Sequence, residues 1–358
     1  MRSLQTFPQI EVVAAYDHDH ARLAAFCAYW NVVPAASASA MFEELPPGSI
    51  VLNLTNPDAH YTLNKAALLA GHHVYSEKPL AMQVDHAQEL AALADGAGLL
   101  LASAPCSVLG QAAQVLAGAV RREVAGKPRL IYAELDDGFI PQAPYESWIS
   151  ESGAPWPYQD EFHVGCTLEH AGYYLGWLIA MFGTVKTVVA ASAEVLPDKQ
   201  GGPYGTADFS VATLFFENGP IARLTCSIAA PHDHSIRIIG DKGVLSVDQA
   251  WANAAPVKFR PRLRIRRRLM ESPIARRIKP SGPSHPKVGR WGAASMNFAL
   301  GVAEMFDALE ERRPCRLSSD FALHMTEVAL AIQNAGQDSG AQHMTSRTAP
   351  MDLMPWAM

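Results

Sequence analysis

Lys78 is the side chain in this sequence best placed to do chemistry. It lies in the run Val74-Tyr75-Ser76-Glu77-Lys78-Pro79, a short apolar strand that ends in an acid, a lysine and a proline. A helix-forming run begins just after, at Val84. In a parallel α/β sheet, ligands bind outside the carboxyl ends of the strands, so Lys78 falls where a reacting group meets a cofactor. Pro79 fixes the chain behind it, with a cis bond open to it. The plain alternative is a surface lysine in a polar βα loop. A second stretch, 161–177, sets Glu169 and His170 side by side, with Tyr173 one turn on, in a run that reads as a helix reaching Gly183. A buried helix histidine with a satisfied hydrogen bond is the plain reading of His170.

These residues need a scaffold, and its elements follow from local pattern. Strands are expected at 10–16, 32–33, 50–54, 74–75 and 99–103, and helices at 20–30, 39–45, 59–70 and 84–94. Such alternation predicts a doubly wound parallel sheet. The run 99–103 is continuously apolar, as in a strand buried on both faces. This first domain is expected to span 1–104. A second, α+β domain over 105–358 opens with a helix at 110–124 and a strand at 129–135. Strands at 185–195, 209–216, 221–228, 236–239 and 244–247 follow, with Asn218-Gly219 and Asp241-Lys242-Gly243 suited to hairpins. They predict an open, mostly antiparallel sheet. Two helices, 291–313 and 321–333, follow, and the tail after Gly340 is expected to be mobile. The loop 138–160 is long enough to be a functional lid. Its Tyr145, Trp148, Trp156 and Tyr158 suit stacking on a sugar face, or pinning of the loop, or a subunit contact.

The order strand, Thr55-Asn56-Pro57, His60, helix, Gly71, strand, Glu77-Lys78-Pro79 resembles the Gfo/Idh/MocA family of nicotinamide-dependent sugar and polyol oxidoreductases. The resemblance covers nearly the whole chain. It implies that Thr55, Asn56, His60, Glu77 and Lys78 lie against the nicotinamide riboside of NAD. The family has an Asp, a His four residues on, and a Trp seven after the His. His170 and Trp177 keep the second spacing, but the Asp position falls on Cys166. Glu169 is the replacement expected for that acid, although residues one apart on a helix diverge by about 100°. Another alignment puts Glu169 in the Asp slot and Tyr173 in the His slot, and loses the Trp. The resemblance further implies hydride transfer at a secondary carbinol, with His170 as base and Lys78 bonded to the same oxygen. Glu169, Tyr173 and Trp148 are the expected substrate contacts. A homo-oligomer built on the antiparallel sheet is also implied.

Asp17, at the end of the first strand, matches the acid that accepts from the adenosine ribose and favours NAD over NADP, which stays open as a cofactor. It, or Asp19, could equally cap the following helix. The glycine-rich phosphate turn belongs roughly 20 residues earlier, yet the first glycine is Gly48. The expectation is a Rossmann-like sheet lacking its first, central strand. A misassigned start or a truncated record would explain this. So would a non-catalytic sensor or scaffold that has lost dinucleotide binding.

The chain has 358 residues, enough for two domains. Its five cysteines include no C-x-x-C pair, which argues against a zinc knuckle or disulfide framework and for a reducing cytoplasm. No metal is expected. No apolar run is long enough for a membrane helix, and residues 1–5 hold no signal core. Net charge is −6, unevenly spread: residues 258–290 carry twelve basic side chains and one acid, leaving −17 elsewhere. Six prolines between 256 and 286 speak against long regular structure there. A solvated arm on its own acidic surface, a clamp for a phosphorylated or nucleotide-linked sugar, and an anionic-membrane tether are the readings. No nucleic-acid motif accompanies the stretch.

Overall fold

The computed structural model describes residues 1–199, 205–290 and 292–357. The first domain runs β1 (Ala14–Ala15), α1 (His20–Trp30), β2 (Val33–Pro34), α2 (Ala38–Glu44), β3 (Ile50–Asn53), α3 (Pro57–Leu69), β4 (His73–Ser76), α4 (Val84–Ala97) and β5 (Leu101–Ser103). Local chemistry sets the ends. Asp19 accepts from the Ala21 and Arg22 amides to start α1, and left-handed Asn31 and Gly98 stop α1 and α4.

Every pairing in this domain is parallel, but the sheet is divided. β1 pairs only with β2, while β3, β4 and β5 form a separate sheet in that order. Among the described residues no strand joins β1 to β3. With no partner there to fix its pairing, the expected strand over 10–16 contracts to two residues. A cavity of about 330 Å³ lies along the unpaired edge of β3, with Leu52, Leu54, Tyr75, Glu77, Glu151 and Arg290 among its lining.

The second domain continues with α5 (Gln111–Arg121), β6 (Pro128–Phe139), α6 (Tyr158–Val164), α7 (Gly172–Phe182), β7 (Val185–Ala193), β8 (Phe209–Phe216), β9 (Ile221–Ser227), β10 (Ala229–Asp233), β11 (Ile236–Gly240), β12 (Gly243–Val247), β13 (Val257–Ile265), β14 (Arg268–Glu271), β15 (Arg276–Ile278), α8 (Leu300–Glu311), α9 (Ser319–Gln333) and β16 (Ala341–His343). The strand order is β14-β13-β12-β11-β6-β9-β8-β7-β16, with β10 also on β6 and β15 on β13. All neighbours are antiparallel except β6 and β9. A helical layer containing Trp177 and Tyr174 of α7, both fully buried, packs with the sheet's inner face into one core.

Several expectations are corrected here. The first two thirds of the basic stretch are strand (β13, β14 and β15), while 279–290 carry no regular element, as expected. Pro261 is tolerated in β13 because it lies where the strand passes from β12 to β14: its carbonyl accepts from Ser272 N, and Lys242 O is met by Arg262 N instead. Lys258 pairs with Asp248, Arg260 and Arg237 with Glu271, and Arg290 with Glu151. The tail is also ordered. β16 adds to the edge of β7, and Met344, Met351 and Leu353 beyond it are buried. The helix expected over 291–313 starts only at Leu300, and Trp291 lies outside the described residues. None of the described helices is long and apolar enough to cross a membrane.

The tail is held by α9. Buried His324 takes the Val185 amide at 2.8 Å and meets Ser346 Oγ at 2.8 Å, while Glu327 accepts from the Thr345 and Ser346 amides. Burial pushes His324 down to about 4 from 6.5, with Glu327 opposing. The neutral ring's contribution is therefore complete above 6.5 and is lost as pH falls toward 4, about 3 kcal/mol in all. Urea unfolding of His324→Gln, which keeps an acceptor and a donor, should lose about 2–3 kcal/mol less than the parent between about pH 7.5 and pH 4.5. Parallel curves would show that His324 is not the titrating group.

Candidate functional site

Lys78 follows the end of β4, and its bond to Pro79 is cis. A buried polar network holds this turn. His60, on the first turn of α3, is fully buried and meets Pro79 O at 2.7 Å and Thr55 O at 2.9 Å. Asn53 donates to Asn64, and Asn64 to Ser76 Oγ. A neutral ring donates to one of these carbonyls, and both nitrogens of His60 face backbone oxygens. Fully buried there, the ring braces the strand-end turns, a positioning role in place of the expected cofactor contact.

The partner of Lys78 comes from the other domain. Its Nζ forms an ion pair with Glu169, with both side chains largely buried. The chain reaches this point by breaking the expected single helix 161–183. Gly165, at φ 95°, ends α6, and Thr167–Ala171 winds as a π-turn before α7. The wider π-turn changes the angular spacing on which the sequence argument relied. Glu169 points at Lys78, while adjacent His170 sets Nδ1 3.6 Å from Asp137 Oδ2 on β6. Cys166 is buried with Sγ 3.8 Å from Cys226 O, away from the Lys78–Glu169 pair.

The charges are strongly coupled. Burial alone disfavours charged Lys78, but Glu169, then Glu161, hold it well above an ordinary lysine. Burial likewise opposes charge on Glu169, and Lys78 outweighs it, so this carboxyl stays below its usual range. Glu161 goes the other way: burial and then the Glu169 charge push it up to about 8, and it is hydrogen-bonded to Glu169. At neutral pH the group is one ammonium, one carboxylate and one carboxylic acid. Burial lowers His170 below the ordinary imidazole, with Asp137 opposing, and raises the Tyr173 phenol, with Lys78 opposing. Tyr173 stacks on Trp251 at 4.4 Å and 23°. Nothing local singled out Glu161, Asp137 or Trp251 as members of this site; only the turn at Gly165 and the pairing of distant strands bring them in.

Other expected residues lie further out. Asp17 accepts from Asp19 N at 2.9 Å, 3.6 Å from Arg22, just beyond β1; Asp19 is the helix cap. Thr55 Oγ1 donates to Asn53 at 2.7 Å, and Asn56 to Asp160 at 2.9 Å across the domains. Glu77 lines the cavity and accepts from Lys78 N at 3.2 Å. Trp148 packs on Trp156 at 5.0 Å and is 40% exposed, while Trp156, Tyr145 and Tyr158 all pack on Phe162, so those three rings pin the loop onto α6.

A parallel-sheet half, a lysine at a strand's carboxyl end and an acid and histidine from an open-sheet half define a two-domain oxidoreductase class. The chain belongs to the Gfo/Idh/MocA oxidoreductases: residues 1–104 match the oxidoreductase family's NAD-binding Rossmann fold, and residues 114–246 match the GFO/IDH/MocA C-terminal domain. It is 27% identical over 222 residues to the uncharacterized oxidoreductase YfiI of Bacillus subtilis (strain 168), a match spanning 58% of this chain and 53% of that protein. In fold it is similar to an NAD binding oxidoreductase from Klebsiella pneumoniae, with TM-score 0.77, 19% identity, and 96% and 94% of the two chains covered. It is also similar to the WlbA dehydrogenase from Bordetella pertussis, determined in complex with NADH and UDP-GlcNAcA, with TM-score 0.69, 17% identity, and 96% and 94% covered.

These residues fit the two ends of a dinucleotide. Glu77, Lys78, Thr55 and Asn56 stand at strand ends suited to a nicotinamide riboside, and Asp17 suits a ribose. A diphosphate needs free amides at a helix start. At α1 Asp19 already occupies them, and α3 starts with Pro57 and Asp58. Ser37 caps short α2, and α4 carries Asp85 in its first turn.

Proposed function

We propose that this chain is an NAD-dependent dehydrogenase acting on a secondary alcohol carbon of a sugar, polyol or sugar derivative. One observation carries the reading: Lys78 of the first domain and Glu169, His170 and Tyr173 of the second converge in one buried cluster. In this reading Lys78 donates from Nζ to the substrate oxygen and stabilises the negative charge that develops there. His170 accepts the hydroxyl proton. Glu169 keeps Lys78 charged and aimed, and the Tyr173 ring, set by Trp251, offers the substrate a flat face. A nicotinamide bound beside Lys78 supplies the hydride acceptor. Asp17 favours NAD, and NADP remains the alternative cofactor. The net +11 of residues 258–290 and the UDP-GlcNAcA bound by WlbA favour a phosphorylated or nucleotide-linked sugar. The open sheet, with edges at β14 and β16, suits assembly into a homo-oligomer.

A second reading is a non-catalytic sensor that keeps the fold. Cys166, at the position that one alignment gives to the family's acid, favours it. Purified protein should be incubated with NAD or NADP and a panel of sugars, polyols and nucleotide sugars, following reduced nicotinamide by absorbance and binding by thermal shift. Substrate-dependent reduction supports the dehydrogenase. A sugar that raises the melting temperature but yields no reduced nicotinamide at any dinucleotide concentration sinks it in favour of the sensor.

A further inference from the structure

We propose that Asp137, His232 and His234 bind one divalent transition-metal ion one stacked ring away from the cluster that holds Lys78. The two histidines play no part in the dehydrogenase reading, and Asp137 is shared only through its other oxygen, which faces His170; metal binding and turnover are read separately, so the proposal holds or fails apart from that reading. His232 lies in β10 and His234 one residue beyond its end, and their ring centroids are 3.8 Å apart, so both rings stand on the same side. β10 pairs antiparallel with β6, with an irregularity between Ala230 and Asp233, and this brings Asp137 of β6 opposite the pair. The donor atoms of the three residues all lie within 4.8 Å of one another.

The histidine that anchors the group has nothing else to bond. His234 is 2% exposed, and neither ring nitrogen has a hydrogen-bond partner. Its Nε2 comes within 3.2 Å of Asp137 Oδ1 yet is not aligned for a hydrogen bond. A nitrogen and a carboxylate oxygen that approach without sharing a proton are arranged as two ligands of a third atom are. His234 is held in this pose by stacking on Trp251 at 4.8 Å and 17°. The His232 ring lies 3.8 Å from that of His234, centroid to centroid, and is exposed, so it is free to swing onto an ion. Two imidazoles and one carboxylate are the ligand set of catalytic zinc and of related borderline metals, not of magnesium or calcium. Three protein ligands leave a position open for water or for an oxygen of a bound molecule. Trp251 also stacks on Tyr173, so an ion here would sit one ring away from the lysine cluster. His170, whose Nδ1 faces the second oxygen of Asp137, stays outside the ligand set.

The test uses the full chain, stripped with a chelator and dialysed. Co²⁺ is titrated while its visible absorption is followed, and Zn²⁺ binding is measured by calorimetry. The parent should take up one equivalent of Zn²⁺, with a Co²⁺ spectrum of low-coordinate nitrogen and oxygen ligation. His232→Ala, at an exposed position, should weaken binding at least about tenfold while leaving the circular dichroism unchanged. Asp137→Asn should weaken it by a similar factor. Absence of stoichiometric Zn²⁺ binding by the parent overturns the proposal. So does binding that His232→Ala and Asp137→Asn both leave intact, which would place the ion on other histidines.

Discussion

Lys78→Met lowers turnover about a thousandfold, while dinucleotide affinity stays within about threefold of the parent. The methionine keeps most of the lysine stem's volume, so the turn braced by His60 keeps its shape. What it removes is the cation that the first domain supplies to the buried cluster with Glu169. Loss of a single donor to developing oxygen charge costs about two to three powers of ten in rate, and the loss of a full charge belongs at the upper end. The fold survives, because the buried Glu169 left behind can share a proton with Glu161. Lys78→Arg separates charge from geometry. It preserves an ion pair, but a planar fork replaces a point donor, and it should recover less than about a tenth of the rate. Steady-state kinetics on a substrate from the panel, with circular dichroism as a folding control, reads all three proteins. Turnover of Lys78→Met within about tenfold of the parent would remove Lys78 from the reaction.

The second large effect is on stability, and it is non-additive. Glu161→Gln alone should change unfolding free energy by less than about 1 kcal/mol, because Glu161 is already held protonated by burial and by the Glu169 charge. Glu169→Gln alone should cost only about 1–2 kcal/mol, since Glu161 can then release its proton and become the counter-ion of Lys78. The double variant has neither carboxylate. A buried ammonium without a partner costs about 3–5 kcal/mol, so the pair should exceed the sum of the singles by about 2 kcal/mol. Urea unfolding at neutral pH measures the cycle. Additivity within about 0.5 kcal/mol would mean that Glu161 holds no reserve for Lys78.

Much of the scaffold was legible because its signals are local. The acid-lysine-proline ending of β4, the αL stop at Gly98 and the apolar run of β5 each depend on a few neighbouring residues. Where the reading failed, a distant partner overrode local preference. Prolines spoke against strands over 258–290, yet β12 supplies an edge on which β13 pairs despite Pro261. The tail looked polar and loose, but β7 offers it an edge and α9 a set of buried acceptors.

The amino-acid sequence alone determined the two-domain order, the strand end that presents Lys78 and the stretch that presents Glu169 and His170. Period, turn residues and charge suffice for that. Which way those side chains face was decided only by the tertiary structure. The π-turn after Gly165 turns Glu169 onto Lys78 and lets His170 approach Asp137, a contrast that a regular helical period does not encode. The meeting of Asp137 with His234 has the same origin: their strands pair only once the open sheet has formed, and a contact made by strand pairing leaves no mark on either segment alone.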